Sequence, residues 1–192
     1  LGGKNAGVVF ADCDMEQALD GTARSVFANC GQVCLGTERV YVERPIFDEF
    51  VSKLKDRAEG LKIGIPTDET TGMGPMVSRQ QCEKVLSYYD KARELGAEII
   101  TGGGVPDMAE AYTGGFWVQP TIWTGLAEDS PIVKQEIFGP CCHIQPFDLE
   151  EEAIRLANDT KYGLATAIWT TNASRAHRVA EKIDVGITWV NC

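Results

Sequence analysis

The 192-residue sequence lacks two features that would direct it to a membrane or a nucleic acid. No apolar run approaches the roughly 18 residues that a membrane-spanning helix requires. Basic residues are also few, with 18 Lys and Arg against 28 Asp and Glu, which gives a formal net charge of −10. Because an acidic chain is repelled by anionic lipid and by phosphate backbones, we expect a soluble protein with no membrane or nucleic-acid partner.

Histidine is scarce, and the cysteines form no recognisable framework. The seven cysteines stand at positions 13, 30, 34, 82, 141, 142 and 192. An odd number without paired CxxC motifs favours neither disulfides nor a zinc site, so we expect reduced thiols, no metal and a cytoplasmic location. Cys141, Cys142 and His143 are consecutive, and neighbouring strand residues point to opposite faces, which argues against one metal site. The other histidine, His177, lies on a predicted helix.

Strand-like and helix-like segments alternate along the chain. The predicted strands are 7–11, 37–42, 98–101, 116–123, 143–147, 165–170 and 187–190. The predicted helices are 14–29, one opened by Pro45, 80–95, one capped by Asp148 with Glu151 at the third position, and 173–183. Asp14 and Ser78 are expected N-caps, and Gln81 should complete a capping box with Ser78. This order predicts an α/β fold with an open, twisted, mostly parallel sheet covered by helices on both faces.

Cys34 has a setting that the other cysteines lack. Gly31 and Gly36 interrupt the helical pattern on either side, so Cys34 is expected on a turn at or just beyond the end of the first helix. An exposed thiol on a turn can ionise and act as a nucleophile, whereas burial raises the pKa of a core thiol. The alternative is that Cys34 is a small core residue, as many free cysteines are.

Four segments, in matching order and separation along the whole chain, resemble signatures of the NAD(P)-dependent aldehyde dehydrogenase superfamily. They are 1–5 (LGGKN), 27–34 (FANCGQVC), 136–140 (EIFGP) and 158–165 (NDTKYGLA). Within that superfamily, the sequence around Cys34 and the segment WVNC at 189–192 are similar to those of the 2-aminomuconate and 2-hydroxymuconate semialdehyde dehydrogenases. The resemblance implies that residues 1–192 are the catalytic domain of a longer enzyme, without its cofactor-binding domain and C-terminal oligomerisation segment.

The resemblance also implies a role for each matching position. Cys34 corresponds to the catalytic nucleophile, which attacks the aldehyde carbon, loses hydride to the nicotinamide and leaves a thioester that water hydrolyses to the acid. Its backbone N–H would help to hold the oxyanion. The implied contacts to NAD or NADP, a cofactor held mainly by the missing domain, are Glu136, Phe138, Leu1 and Gly2. The implied contacts to the small aldehyde substrate are Ala28, Val33, Leu35 and Asn191.

In the family, the general base is a glutamate immediately before the segment that begins at Leu1. Such a base contributes about 10²–10⁴-fold, so this chain alone is expected to be inactive as a dehydrogenase. We expect the parent enzyme to be a homo-oligomer, a dimer or a tetramer. The isolated chain is expected to self-associate through a sheet edge or the former domain face.

Two other classes of function stay open at this point. Cys34 could serve an acyl-transfer or hydrolase site, which a nearby histidine would favour, or the chain could be a non-catalytic structural or interaction domain. The substrate is also open. A muconate-type semialdehyde carries a carboxylate that an arginine could bind, but Arg24 is expected on a helix surface and Arg39 in a strand, so neither is assigned.

Overall fold

The computed structural model describes residues 2–192, apart from the side chain of Ala111; Leu1 lies outside the described residues. The strands are β1 (Asn5–Val9), β2 (Thr37–Glu43), β3 (Glu98–Thr101), β4 (Thr121–Thr124), β5 (Cys141–Phe147), β6 (Ala165–Trp169) and β7 (Ile187–Val190). They form one sheet in the order β3-β4-β5-β2-β1-β6-β7. β3 and β4 pair antiparallel and all the other neighbours pair parallel, which confirms the predicted mostly parallel sheet.

Helices cover both faces of the sheet, as predicted. They are α1 (Met15–Phe27), α2 (Phe47–Glu59), α3 (Arg79–Glu94), α4 (Pro131–Lys134), α5 (Glu150–Asn158) and α6 (Ala173–Ala180). The apolar sides of α1, α2 and α3 pack in one core around Val40 and Val42 of β2. On the opposite face, α5 and α6 pack around Val8 of β1 and Tyr41 of β2. Among the helices of residues 2–192, none is long and apolar enough to cross a membrane.

Several predicted helix ends are confirmed by their capping contacts. The Asp14 carboxylate accepts a hydrogen bond from Gln17 N at 3.1 Å and begins α1. Ser78 Oγ accepts one from Gln81 N at 3.2 Å and begins α3. Gly96, which follows α3, has a φ of +83°, a conformation that glycine adopts without steric cost.

The predicted N-cap at Asp148 is wrong. Leu149 is the N-cap of α5, and it makes no side-chain capping bond. Both carboxylate oxygens of Asp148 instead accept from Arg44, at 2.5 and 2.7 Å, a bidentate pair that outcompetes a single bond to a backbone N–H. The expected partner, Glu151, is not used; Glu152 Oε2 accepts from Asp148 N at 2.8 Å.

Other boundaries shift where the backbone has a different partner. The predicted strand 116–123 is wrong over its first half, because Gln119 N bonds to Gly104 O at 2.9 Å and Pro120 has no N–H to donate. The helix expected from Pro45 begins at Phe47, after a short 3-10 turn over Arg44–Ile46. The short helix α4 was not predicted.

Arg39 of β2 joins the sheet to α5 from a fully buried position, with 1% of its surface exposed. Its guanidinium donates to Lys4 O at 2.8 Å, to Leu156 O at 2.8 Å and to Ala157 O at 2.9 Å. The last two are carbonyls at the carboxyl-terminal end of α5, where a positive charge also favours the helix dipole. Arg39 therefore holds α5 against the start of β1.

We predict that Arg39→Met lowers the free energy of unfolding by roughly 3–5 kcal/mol, because methionine fills the space but removes the charged donor that the carbonyls of Lys4, Leu156 and Ala157 share. Arg155→Met is the matched control, because Arg155 lies exposed on α5, and it should change stability by about 0.5 kcal/mol or less. Urea unfolding followed by tryptophan fluorescence measures both. A loss below about 1 kcal/mol for Arg39→Met would contradict this role.

Candidate active site

The four signature segments meet on the side of the sheet where the amino-terminal ends of its central strands lie. Each precedes a strand: 2–4 precede β1, the Cys34 turn precedes β2, 136–140 precede β5 and 161–164 precede β6. These strands are adjacent in the order β5-β2-β1-β6 and run parallel, so their amino-terminal ends lie side by side. Segments far apart in sequence are thereby brought together.

A reversal of the backbone after α1 places Cys34 at these amino-terminal strand ends. Asn29, Cys30 and Gly31 have φ values of 51°, 56° and 67°, three consecutive residues in the left-handed region. A Cβ at Gly31 would overlap the carbonyl oxygen of Gly139, so only glycine allows this close approach. The turn that follows is closed by Gly36 N and Val33 O at 2.9 Å. Cys34 is exposed within it, which confirms the predicted setting on a turn.

Asn5 fixes that turn from the start of β1. Its Nδ2 donates to Cys34 O and to Gly36 O, both at 2.8 Å, and its Oδ1 accepts from Ala165 N at 3.1 Å. The amide thus ties the turn to both β1 and β6. Within residues 2–192, the Cys34 N–H has no hydrogen-bond acceptor, so it remains available to a bound group.

A buried ion pair holds the 136–140 segment in place. Lys4 Nζ lies 2.5 Å from Glu38 Oε2, and the two side chains are 1% and 8% exposed. Glu38 also accepts from Ile137 N at 3.0 Å and from Phe138 N at 2.9 Å. These bonds compensate for removing the Glu38 carboxylate from water. They fix the segment against β1 and β2.

Glu136 lies beside the glycines that precede β1, and Phe138 follows it by two residues in the same segment. Glu136 Oε1 accepts from Gly3 N at 2.8 Å, and a Cβ at Gly2 would lie 2.8 Å from Glu136 Oε2. Phe138 has a φ of 62°, and its carbonyl accepts from Gln81 Nε2 at 2.9 Å. The predicted capping box is therefore wrong in one half, because the side chain of Gln81 supports this strained residue instead of the start of α3.

A cleft of about 360 Å³ adjoins the Cys34 turn. It contains three of the four residues expected to contact substrate: Ala28, Val33 and Leu35. The other lining residues had no predicted role in the site: Gly21, Arg24, Ser25, Gly36, Trp189 and Cys192. Val33 and Leu35 are the sequence neighbours of Cys34, so the turn that carries Cys34 borders this cleft.

Asn191 is the fourth expected substrate contact, and the structure does not bring it to the cleft. It follows β7, at the carboxyl-terminal edge of the sheet, with a φ of 56°. Its side chain accepts from Thr170 N at 3.0 Å and donates to Thr170 O at 2.9 Å. Both ends of the amide are therefore used to join β7 to the end of β6.

The buried and half-buried cysteines are poor nucleophiles here. Burial raises the pKa of Cys13 to about 11, with the nearby Asp12 and Asp14 adding to the effect. Burial also raises the pKa of Cys30 and of Cys142 to about 12. Cys34 and Cys192 are the exposed cysteines of residues 2–192, and Cys34 is the one on the turn fixed by Asn5.

Neither histidine is hydrogen-bonded to Cys34 in the described chain. His143 is buried in β5, where its Nε2 accepts from Leu126 N at 3.4 Å and burial lowers its pKa to about 4. His177 is exposed on α6, on the opposite face of the sheet from α1. In the part of the chain that the structure describes, no group of three or more His, Cys, Asp or Glu side chains could hold a metal ion.

Comparison with known proteins agrees with this architecture. The sequence profile of the aldehyde dehydrogenase family matches residues 1–192. The chain is 68% identical to a 2-hydroxymuconic semialdehyde dehydrogenase of Pseudomonas putida and 57% identical to a 2-aminomuconic 6-semialdehyde dehydrogenase of a Pseudomonas species, each over 191 residues. All of this chain aligns, and it spans 39% of the length of each relative.

Comparison with solved structures also finds similarity to aldehyde dehydrogenases. A betaine aldehyde dehydrogenase from Staphylococcus aureus, solved in complex with NAD⁺, superposes with a TM-score of 0.97 at 39% identity. The match covers 100% of this chain and 38% of that one. The chain belongs to the aldehyde dehydrogenase family.

Proposed function

We propose that the protein carrying this chain is an NAD(P)-dependent aldehyde dehydrogenase that oxidises a semialdehyde of the 2-hydroxymuconic or 2-aminomuconic type to the carboxylic acid. The observation that carries the proposal is the exposed Cys34 on a turn fixed by Asn5, with an adjoining cleft and a backbone N–H that has no acceptor within residues 2–192. The relatives named above support the choice of substrate class.

In the first chemical step Cys34 has two roles, with its sulfur as the nucleophile and its backbone N–H as a hydrogen-bond donor. Its thiolate sulfur forms a bond to the aldehyde carbon, and the carbonyl π electrons move to oxygen, which gives a tetrahedral oxyanion. The Cys34 N–H can donate to that oxygen, because its own carbonyl is held by Asn5 and the N–H has no acceptor within residues 2–192. Fixing the turn in advance means that the donor does not have to reorganise during the reaction.

The residues beside β1 fit the nicotinamide half of a dinucleotide. Glu136 Oε2 has no donor among residues 2–192, and the lack of a side chain at Gly2 keeps the space beside it open. A carboxylate oxygen is a suitable acceptor for ribose hydroxyls, and the half-buried ring of Phe138 offers an apolar surface nearby. A bound NAD or NADP supplies the hydride acceptor of the reaction.

Departure of hydride from the tetrahedral carbon restores the C=O bond and leaves an acyl thioester on Cys34. Water then adds to the thioester carbon, the C–S bond breaks, and the acid and the free thiol are released. The net reaction consumes one aldehyde, one water and one oxidised cofactor and gives one carboxylate, one reduced cofactor and protons.

We also propose that the protein carrying this chain is a cytoplasmic homo-oligomer. All seven cysteines are free thiols, in keeping with a reducing compartment. The edge strand β7 leaves Ile187 and Val190 exposed, at 41% and 38% of their surfaces. An apolar sheet edge of this kind is stabilised by pairing with another chain.

We predict that Cys34→Ser, in the full-length protein, lowers the rate of NADH formation from an aldehyde by more than about 10³-fold, because a serine hydroxyl is barely ionised at neutral pH. Cys13→Ser is the control, because Cys13 is half-buried and lies at the opposite end of α1 from the Cys34 turn, and it should keep activity. Absorbance at the NADH band measures both. Retention of a tenth of the activity in Cys34→Ser would rule out Cys34 as the nucleophile.

A second prediction concerns the cofactor. Glu136→Gln should raise the KM for NAD by about 10-fold and leave the KM for the aldehyde nearly unchanged, because a neutral amide oxygen is a weaker acceptor than a carboxylate. The matched control is Glu151→Gln, at an exposed position of α5. Steady-state kinetics with NAD varied at saturating aldehyde gives the comparison. An unchanged KM for NAD in Glu136→Gln would remove Glu136 from the cofactor site.

A further inference from the structure

Arg24 is the charged side chain among the described residues that line the cleft beside Cys34. It lies exposed in the last turn of α1, four residues before Ala28, which lines the same cleft. The remaining lining is mainly apolar or small and includes Val33, Leu35 and Trp189. The cleft thus combines a surface suited to a carbon chain with a single cationic group.

Arg24 also has no partner of its own within residues 2–192. Of the nine arginines, seven lie within 4.0 Å of a carboxylate, and Arg79 stacks on the ring of Phe116 at 5.3 Å. Arg24 has neither kind of contact in the described chain. Asp20, which is four residues before Arg24 on α1, is bound to Arg57 at 2.8 Å. In a chain with 28 acidic residues, an arginine left free beside a cleft is available to an anionic ligand.

We infer that Arg24 binds a carboxylate at the far end of the substrate and so selects aldehydes that carry a second, anionic end. This inference rests on the proposed function and adds a specificity residue to it. The carbon chain would lie against Val33, Leu35 and Trp189, with its aldehyde carbon at Cys34. A guanidinium can bind a carboxylate through two parallel hydrogen bonds, which gives both affinity and orientation.

The test compares 6-oxohexanoate with hexanal, two six-carbon aldehydes that differ in the terminal carboxylate, using the full-length protein. Arg24→Gln should lower kcat/KM for 6-oxohexanoate by about 10–100-fold, mainly through KM, and change that for hexanal by less than about threefold. Arg24→Lys, which keeps the charge, should recover part of the loss. Arg155→Gln, at an exposed arginine of α5, should change neither substrate. Equal losses on both aldehydes, or no loss on 6-oxohexanoate, would overturn the inference.

A second readout does not depend on oxidation. Adipate, a six-carbon dicarboxylate, should slow the alkylation of Cys34 by iodoacetamide in the parent protein, and Arg24→Gln should weaken that protection by about 10-fold. Peptide mass spectrometry follows the labelling of Cys34. If the protein oxidised no aldehyde, the proposed function would fail while this assay still decided the role of Arg24. Absence of protection, or equal protection in Arg24→Gln, would overturn that role.

Discussion

The buried pair of Lys4 and Glu38 is the interaction on which the site depends. A carboxylate that is 8% exposed is stable only when its oxygens are fully used, and here they accept from Lys4 and from the N–H groups of Ile137 and Phe138. One side chain thus joins the start of β1, the start of β2 and the segment before β5. Without it, Glu136 and Phe138 would not be held beside the turn that carries Cys34.

Two close contacts between backbone segments, both made possible by glycine, complete the candidate site. Gly31 allows the Cys34 segment to touch the backbone at Gly139, and Gly3 allows its chain to pass beside the carbonyl of Cys34. Parallel strands bring the segments together at the amino-terminal ends of the strands. Open α/β sheets more often bind ligands at the carboxyl-terminal ends of their strands. In this family member, the Cys34 turn and the segment with Glu136 and Phe138 precede their strands, and α1 and the end of the chain at β7 supply the rest of the cleft lining.

The sequence predicted local features well and long-range polar contacts poorly. The Asp14 cap and the bounds of β3 follow from patterns within a few residues, which is why they were predictable. Asn5 and Glu38 look like ordinary polar residues, because their partners lie up to 160 and 100 residues away. Asp148 failed as a cap for the same reason, since its partner Arg44 is 104 residues distant. Arg24 resembled a helix-surface charge until the fold placed it beside the cleft.

The central claim is that the sulfur of Cys34 becomes bonded to the substrate's carbonyl carbon. The most direct measurement is acid quenching of the full-length protein during turnover with 6-oxohexanoate and NAD, followed by peptide mass spectrometry. We expect the peptide containing Cys34 to gain the mass of the acyl group, as a thioester that hydroxylamine removes. An acyl group found on another residue, or turnover without any acylated peptide under conditions that preserve thioesters, would contradict the account.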